Sequence, residues 1–157
     1  MRGRLALVTL AALVAAGCAK PVDLKQAIQV SDLTTGWFDA GIVDGKNKLV
    51  PSLSFRLKKA PATDVALSLN IVFKAEGDTD DWDDVFVQRV QFTDGSQTAP
   101  LVVRPEKGYT GDPPQSRSDM LKNSLFRDLN AKIFAKQSST QWVELQQVKI
   151  ARQLLTQ

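Results

Sequence analysis

The chain has 157 residues, with 20 Lys and Arg against 17 Asp and Glu, no histidine and a single cysteine. This length allows one domain with a substantial apolar core. The absence of histidine removes the commonest general base, the commonest metal ligand and every nucleophile that depends on a histidine base. Two of the basic residues, Arg2 and Arg4, lie at the N-terminus, and without them 18 basic residues face 17 acidic ones. This balance indicates no nucleic-acid partner.

The N-terminus has the pattern of an export signal. Arg2 and Arg4 precede an apolar run over residues 5–16, and small residues then lead to Cys18. The run is too short to span a bilayer, which takes about 20 apolar residues. Cys18 is the chain's only cysteine, so it cannot form an internal disulfide. The alternative interpretation is an ordinary signal peptide followed by an unrelated cysteine.

The segment Ala15-Ala16-Gly17-Cys18 resembles the signal of bacterial lipoproteins, with Ala15 at the position where that family most often has leucine. In that family a peptidase cuts directly before the cysteine, which then carries several acyl chains. Multiple chains anchor a protein durably, whereas a single chain is only marginal. The resemblance therefore implies lipidation of Cys18.

The same resemblance implies how the chain is divided and where it resides. Residues 1–17 would be the signal peptide and residues 18–25 a lipidated tether. In the family's sorting pattern, aspartate directly after the cysteine favours retention in the inner membrane, and this chain has Ala19 there. We therefore expect the periplasmic face of the outer membrane.

Alternation of apolar and polar residues predicts that most of the remaining chain forms strands. The strongest pattern covers residues 65–74 and the next covers residues 49–58, and we expect these two strands to pair antiparallel. Ser118 would cap one short helix over residues 119–126, before the last hairpin. In chain order, strands are predicted over residues 26–33, 49–58, 65–74, 85–92, 99–104, 129–136 and 142–154.

The C-terminal segment permits two interpretations. A strand over residues 142–154, bulged near Gln146 and Gln147, would form a hairpin with the strand around Ile133. A helix over residues 143–155 is the alternative, because glutamine, glutamate and leucine favour helices. We expect the strand, since a hairpin explains the apolar positions on both sides of the turn.

About seven or eight short strands separated by turn signals predict one all-β domain over residues 26–157. The expected architecture is a β-sandwich with Greek-key connections. One of its strands would carry Phe86, Val90 and Phe92 on one face. The pattern resembles the small immunoglobulin-like domains of bacterial envelope lipoproteins, as an architecture and without a specific motif.

Residues 76–84 form an acidic segment between two predicted strands. Asp78, Asp80 and Asp81 could offer oxygen ligands to Ca²⁺. The glycine and the glutamate of the known Ca²⁺-binding loop are missing from their positions. A solvated hairpin tip that discourages edge pairing is the simpler interpretation, so we expect no metal site and no cofactor.

Five aromatic residues form the candidate surface for a partner or a glycan: Trp37, Phe38, Trp82, Tyr109 and Trp142. All three tryptophans are predicted at strand ends or in loops. If they converge on one end of the sandwich, they could stack on sugar rings or anchor a partner protein. The alternative is that they plug the ends of the sandwich or pack beneath loops.

The sequence contains no recognisable catalytic constellation. Residues 107–112 lack the Gly-Lys-Ser/Thr of a phosphate-binding loop, and Leu121 stands where Ser118 would need a lysine. We therefore expect a non-enzymatic envelope lipoprotein that holds the membrane through its acyl chains and binds or helps to assemble another envelope protein. A glycan- or Ca²⁺-binding module is the first alternative, and a hydrolase using carboxylates alone is the second.

Overall fold

The computed structural model describes residues 22–155, apart from residues 62 and 64. Two antiparallel sheets of four strands each form a β-sandwich, which confirms the all-β prediction. Two short helices accompany them, α1 (Leu24–Ala27) and α2 (Arg117–Lys122). The expected signal peptide and Cys18 lie outside the described residues, and the immunoglobulin-like topology stays a prediction.

Within the described residues, eight strands form the two sheets: β1 (Ile28–Val43), β2 (Lys46–Lys59), β3 (Leu67–Ala75), β4 (Asp83–Val87), β5 (Leu101–Val103), β6 (Tyr109–Gly111), β7 (Leu129–Gln137) and β8 (Val143–Lys149). In the first sheet, β1 pairs with one side of β2, and both β5 and β6 pair with the other side. In the second sheet the order is β4-β3-β7-β8.

The core lies between the inner faces of β2, β3 and β7. Every second residue of β3 is buried, from Leu67 to Ala75, as the period of two along a half-buried strand requires. The facing side chains of β2 are likewise buried, and β7 contributes small alanines beside Ile133. Each large buried side chain stabilises the fold by about 1.5–3 kcal/mol relative to exposure. The fully buried members include Leu49, Leu53, Phe55, Leu57, Leu69, Ile71, Phe73, Leu129 and Ile133.

The expected pairing of residues 49–58 with residues 65–74 is wrong. β2 pairs with β1, and β3 pairs with β7, so the two strongest strands lie in opposite sheets. Their apolar faces meet across the sandwich and not side by side within one sheet. Alternation specifies which face of a strand is buried, but it does not specify the neighbouring strand.

β1 is much longer than the predicted strand over residues 26–33. It continues through the stretch around Trp37 that was predicted to lie in a loop or at a strand end. Its pairing with β2 shifts register twice, after Ser31 and after Asp39. Asp32 and Gly41 have positive φ angles of 52° and 80° at these irregularities. Such bulges interrupt the period of two, which explains why the sequence pattern lost the strand.

Several other boundaries differ from the predictions. β4 begins at Asp83 and ends at Val87, whereas a strand over residues 85–92 was expected. The short strand β6 lies in a segment that was predicted to be irregular. Ser116, not Ser118, caps α2: its Oγ accepts from the Asp119 N–H at 3.1 Å. The helix ends at Lys122, and so it is shorter than expected.

The C-terminal segment forms the strand β8 and not the alternative helix. It pairs with β7 as the expected hairpin, with Gln146 opposite Ile133. The register shifts between Gln146 and Glu144, so the extra residue is Leu145, next to the bulge position that was predicted.

After β8 the chain forms a tail, residues 150–155, which crosses to the edge of β1. The Trp37 N–H donates to the Gln153 carbonyl at 2.8 Å, and the Leu155 N–H donates to the Trp37 carbonyl at 2.9 Å. The Thr35 hydroxyl accepts from the Ala151 N–H at 3.0 Å and donates to the Lys149 carbonyl at 3.1 Å. The tail therefore covers the middle of the free edge of β1, at Thr35 and Trp37, and helps to close this side of the sandwich.

Gly36 permits this close approach of the tail. A Cβ added at residue 36 would lie 2.7 Å from the Cγ and Cδ2 atoms of Leu155 and 3.0 Å from the Gln153 carbonyl oxygen. Only glycine leaves this space free without displacing the tail.

Asp128 joins the tail to the start of β7. Its carboxylate accepts from Arg152 Nε at 2.6 Å and lies 3.0 Å from Lys149 Nζ. Arg152 also donates to the Leu121 and Phe126 carbonyls, both at 3.2 Å. The hydrogen bond from Arg152, supported by the charge of Lys149, lowers the pKa of Asp128 below its usual value.

We predict that Gly36→Ala lowers the free energy of unfolding by about 1–3 kcal/mol, because the new methyl group overlaps Leu155. Urea denaturation of the variant measures the loss. The double variant Gly36→Ala/Leu155→Ala is the control and should recover part of it, since it removes the overlapping side chain. A single variant as stable as the wild type would contradict the packing of the tail on β1.

We predict that Asp128→Asn costs on the order of 1 kcal/mol of stability at pH 7. Because the folded-state pKa of Asp128 is depressed, its stabilisation is present above the unfolded value of about 3.9 and is lost as pH falls through the folded pKa. The stability gap between the wild type and the variant, measured by denaturation from pH 7 to pH 3, should therefore begin to narrow below about pH 4. Asp112→Asn, at a side chain that is 81% exposed, is the control for removing a carboxylate from the surface. A gap for Asp128→Asn that stays constant over this range would refute the charge assignment.

Candidate functional site

The five aromatic residues proposed from the sequence do not converge on one end of the sandwich. Trp37 lies within β1 and is only 1% exposed, so its expected position at a strand end or in a loop is wrong. Its ring meets Phe126 edge to face at 4.6 Å, and Tyr109 meets the same ring at 4.8 Å. Arg152 covers Phe126 at 5.0 Å. These rings form part of the core and leave no free aromatic surface there.

Phe38 lies on β1 next to Trp37, and successive strand residues face opposite sides of the sheet. The Arg104 guanidinium lies 3.6 Å from the centre of the Phe38 ring, and its Nε donates to the Ser52 hydroxyl at 3.2 Å. A cation held this close covers one face of the ring. Phe38 is half-buried as a result.

Trp82 precedes β4 and is also half-buried. Its backbone N–H donates to the Phe73 carbonyl at 2.7 Å, which fixes the residue to the end of β3. Lys107 Nζ lies 4.3 Å from the centre of the indole ring. The indole packs against the core on its apolar side and carries a cation on a face, so it is poorly placed to stack on a sugar.

Trp142 is the member of the set that contributes to an exposed aromatic cluster. It is 39% exposed, and its ring meets Phe86 edge to face with 6.1 Å between centres. Phe86 is 53% exposed although it lies within β4. Lys136 Nζ lies 4.8 Å from the Trp142 ring. Two large aromatic side chains thus share one solvent-exposed surface.

Phe86 was not predicted to be a site residue. It was predicted to share one strand face with Val90 and Phe92. In β4, however, Val85 and Val87 are half-buried, while Phe86 is exposed. The signal was present, since a phenylalanine between two valines in an alternating strand must face away from whichever side the valines occupy. The pattern alone did not show which of the two faces is the core.

The outer face of the second sheet extends the aromatic cluster across three strands. Phe86 of β4 lies opposite Asn70 of β3, and Asn70 lies opposite Phe134 of β7. Phe134 is half-buried. We call the set of Phe86, Phe134, Trp142 and Lys136 the Phe86 surface. It combines aromatic contact area, which is enriched in the cores of protein interfaces, with one lysine.

β4 is an edge strand, and a groove runs beside it. The groove has a volume of about 660 Å³ and is lined by residues 82–86 on one side and by Arg104, Glu106 and Lys107 on the other. The Lys107 N–H donates to the Asp83 carboxylate at 2.8 Å and so joins the two walls. An edge strand beside an open groove can accept a further strand through its backbone groups.

The acidic loop offers little to a metal ion. Both Asp78 carboxylate oxygens accept from Arg127, at 2.6 and 2.7 Å, and this pairing lowers the pKa of Asp78. Asp80 and Asp81 are exposed. Among residues 22–155, with the two gaps noted, no cluster of three or more Asp, Glu, Cys or His side chains is arranged to hold a metal. A Ca²⁺ ion would have to displace the arginine from Asp78.

The described helices are short, and none of them is long and apolar enough to cross a membrane. Within this part of the chain, exposed aromatic rings, a lysine and the backbone of an edge strand lie together. Comparison of the chain with protein-family models, with curated proteins and with solved structures found no match in any of the three.

Proposed function

We propose that this chain is a lipid-anchored envelope protein whose β-sandwich binds another protein through the Phe86 surface. The observation that carries the proposal is the pair of exposed aromatic rings, Phe86 at 53% and Trp142 at 39% exposure, on an edge of the sheet. Single exposed apolar residues are common, but contiguous aromatic residues at a strand edge mark interaction sites.

The other edges of the two sheets support the choice of β4. The tail covers β1 through backbone hydrogen bonds to Trp37. β8 borders α1 and β1 on the same closed side. β5 and β6 have three residues each, and short edge strands are one of the ways in which proteins avoid unwanted pairing. β4 has five residues, and the groove lies beside it.

The anchor part of the proposal rests on the sequence. The basic start, the short apolar run and the lipoprotein-like segment ending in Cys18 support export and lipidation. Val22 packs against the core four residues after Cys18 in the sequence, so the anchor would hold the domain close to the membrane. With Ala19 after the cysteine, we place it on the periplasmic face of the outer membrane. We also propose that the sandwich is immunoglobulin-like.

The alternative functions have weaker support. Sugar stacking needs an open indole face, whereas Trp37 is buried and cations lie against Trp82 and Trp142. Ca²⁺ binding needs Asp78, which is paired with Arg127. A hydrolase using two carboxylates needs at least one with a raised pKa, and the shifted carboxylates in the described chain, Asp78, Asp94 and Asp128, have lowered pKa values.

We predict that Cys18→Ser abolishes lipidation, because the thiol is the atom that would be acylated. Cell fractionation and mass measurement should find an uncleaved or soluble precursor in place of the mature, membrane-held protein. Ala19→Ser, which changes the next residue and leaves the thiol intact, should remain anchored. Mature, membrane-held protein from Cys18→Ser would show that the anchor has been assigned wrongly.

We predict that Phe86→Ser lowers partner capture by about tenfold or more, because central aromatic residues dominate binding energy. The measurement is chemical crosslinking in intact cells, followed by purification and quantification of every co-purified protein. Val102→Ser is the matched control, since Val102 is a 57% exposed apolar strand residue in the other sheet. If Val102→Ser loses capture as strongly as Phe86→Ser, or if neither does, the Phe86 surface is not the binding site.

A further inference from the structure

We infer that the partner which fits the open edge of β4 is a second copy of this chain, paired antiparallel about Phe86. The inference rests on the proposed function and names the occupant of that same surface. The two copies would join their four-stranded sheets into one continuous sheet of eight strands. Such a contact is isologous, so each copy uses the same residues.

The chemistry of the edge is self-complementary about Phe86. A twofold axis at Phe86 places Phe86 opposite its own copy and Val85 opposite Val87. The flanking residues then pair as opposites: Asp84 faces Gln88, and Asp83 faces Arg89. The segment that shows this symmetry reads Asp83-Asp84-Val85-Phe86-Val87-Gln88-Arg89.

These cross-strand pairs are chemically complementary. Gln88 and Arg89 directly follow β4, and continuing the ladder through them lets the Gln88 amide donate to the Asp84 carboxylate. The Arg89 guanidinium can approach the remaining lone pairs of Asp83, whose carboxylate already accepts from the Lys107 and Asp84 N–H groups of its own chain. Aromatic and opposite-charge pairs directly across an antiparallel ladder are stabilising. Because of the twofold axis, every cross-strand pair occurs twice in the contact, except the central pair of Phe86 with its own copy.

Moving the twofold axis by one residue in either direction removes this complementarity. An axis at Val85 would place Phe86 opposite Asp84, and an axis at Val87 would place Phe86 opposite Gln88. Both registers set an aromatic ring against a polar group. The register centred on Phe86 therefore has a chemical preference over its neighbours.

The surroundings of β4 suit a second copy. Asp84 and Arg89 are exposed, and neither forms an ion pair in the described part of the chain. The groove beside β4 leaves room next to the strand. Phe86 lies beside Trp142, so the axis would bring two such pairs of rings into one cluster that covers the exposed part of both.

A contact of one five-residue strand per copy is small, and isolated chains in dilute solution would associate weakly. Lipid anchoring would change this balance, because confinement to one membrane raises the effective concentration of each copy at the other. The pairing is therefore expected on the membrane.

The test is disulfide trapping in intact cells that carry the full-length chain. In Phe86→Cys, the two new thiols would face each other at a Cα separation of about 4.5–5.5 Å, within the reach of a disulfide. Mild oxidation should give a dimer that reduction removes, about tenfold above two controls. The controls are the wild type, which has only Cys18, and Val102→Cys, which places a thiol at an equally exposed strand residue of the other sheet.

The register is tested without altering Phe86. Cells producing Asp84→Cys together with Gln88→Cys should yield a mixed disulfide, because the axis places these residues opposite each other. The charge pair is tested in the Phe86→Cys background, where Arg89→Asp should reduce the dimer and Arg89→Lys, which keeps the positive charge, should retain it. The inference would be overturned if both cysteine experiments gave no more dimer than the Val102→Cys control.

Failure of this inference and failure of the proposed function give different results. Suppose that the wild type captures a different protein that Phe86→Ser no longer captures, while no cysteine pair at β4 forms a dimer. In that case the surface binds proteins, but its occupant is not a second copy. If Phe86→Ser has no effect on any capture, the proposed function fails as well.

Discussion

The hydrogen bonds between the C-terminal tail and Trp37 determine which sides of this sandwich are closed. A β-sandwich has strand edges on both sides, and every uncovered edge can accept another strand. Here the tail adds itself to β1 through two backbone hydrogen bonds, and Gly36 provides the space in which Leu155 packs. The closed side also contains β8 and α1. In the same sheet as β8, the opposite edge is β4, and no other strand in the described part of the chain pairs with its outer side.

Charge supports this arrangement where the tail leaves β8. Arg152 connects Asp128 to the carbonyl oxygens of Leu121 and Phe126, so the tail, α2 and the start of β7 are held by one guanidinium group. The ring of Phe126 lies beneath the same cation and meets Trp37. Two of the aromatic residues that first suggested a binding surface, Trp37 and Tyr109, thus pack around Phe126 on the closed side. The binding surface that we propose consists instead of the exposed aromatic residues Phe86 and Trp142.

How much could be predicted from the sequence depended on whether local alternation was unbroken. β3, β7 and the second half of β2, from Leu53, alternate regularly, and these strands and their buried faces were predicted correctly. β1 was mostly missed because two bulges, near Asp32 and Gly41, interrupt its period. The wrong pairing of β2 with β3 has a different cause, since the partner of a strand depends on long-range contacts that no local pattern contains. The same limit applied to the site: Phe86 could be assigned to a strand but not to its outer face.

We propose that the tail closes one side of the sandwich, while the outer edge of β4 stays unpaired until another strand binds to it. Amide hydrogen exchange, measured by mass spectrometry on the full-length lipidated protein in lipid vesicles at low and high surface concentration, tests both halves of this proposal. We expect the backbone amides of the tail around Leu155 and of β1 around Trp37 to be protected from exchange at both concentrations. The segment with Phe86 should exchange quickly when dilute and slow down as the concentration rises. A tail that exchanges as fast as a loop, or a β4 segment whose exchange does not change, would contradict it.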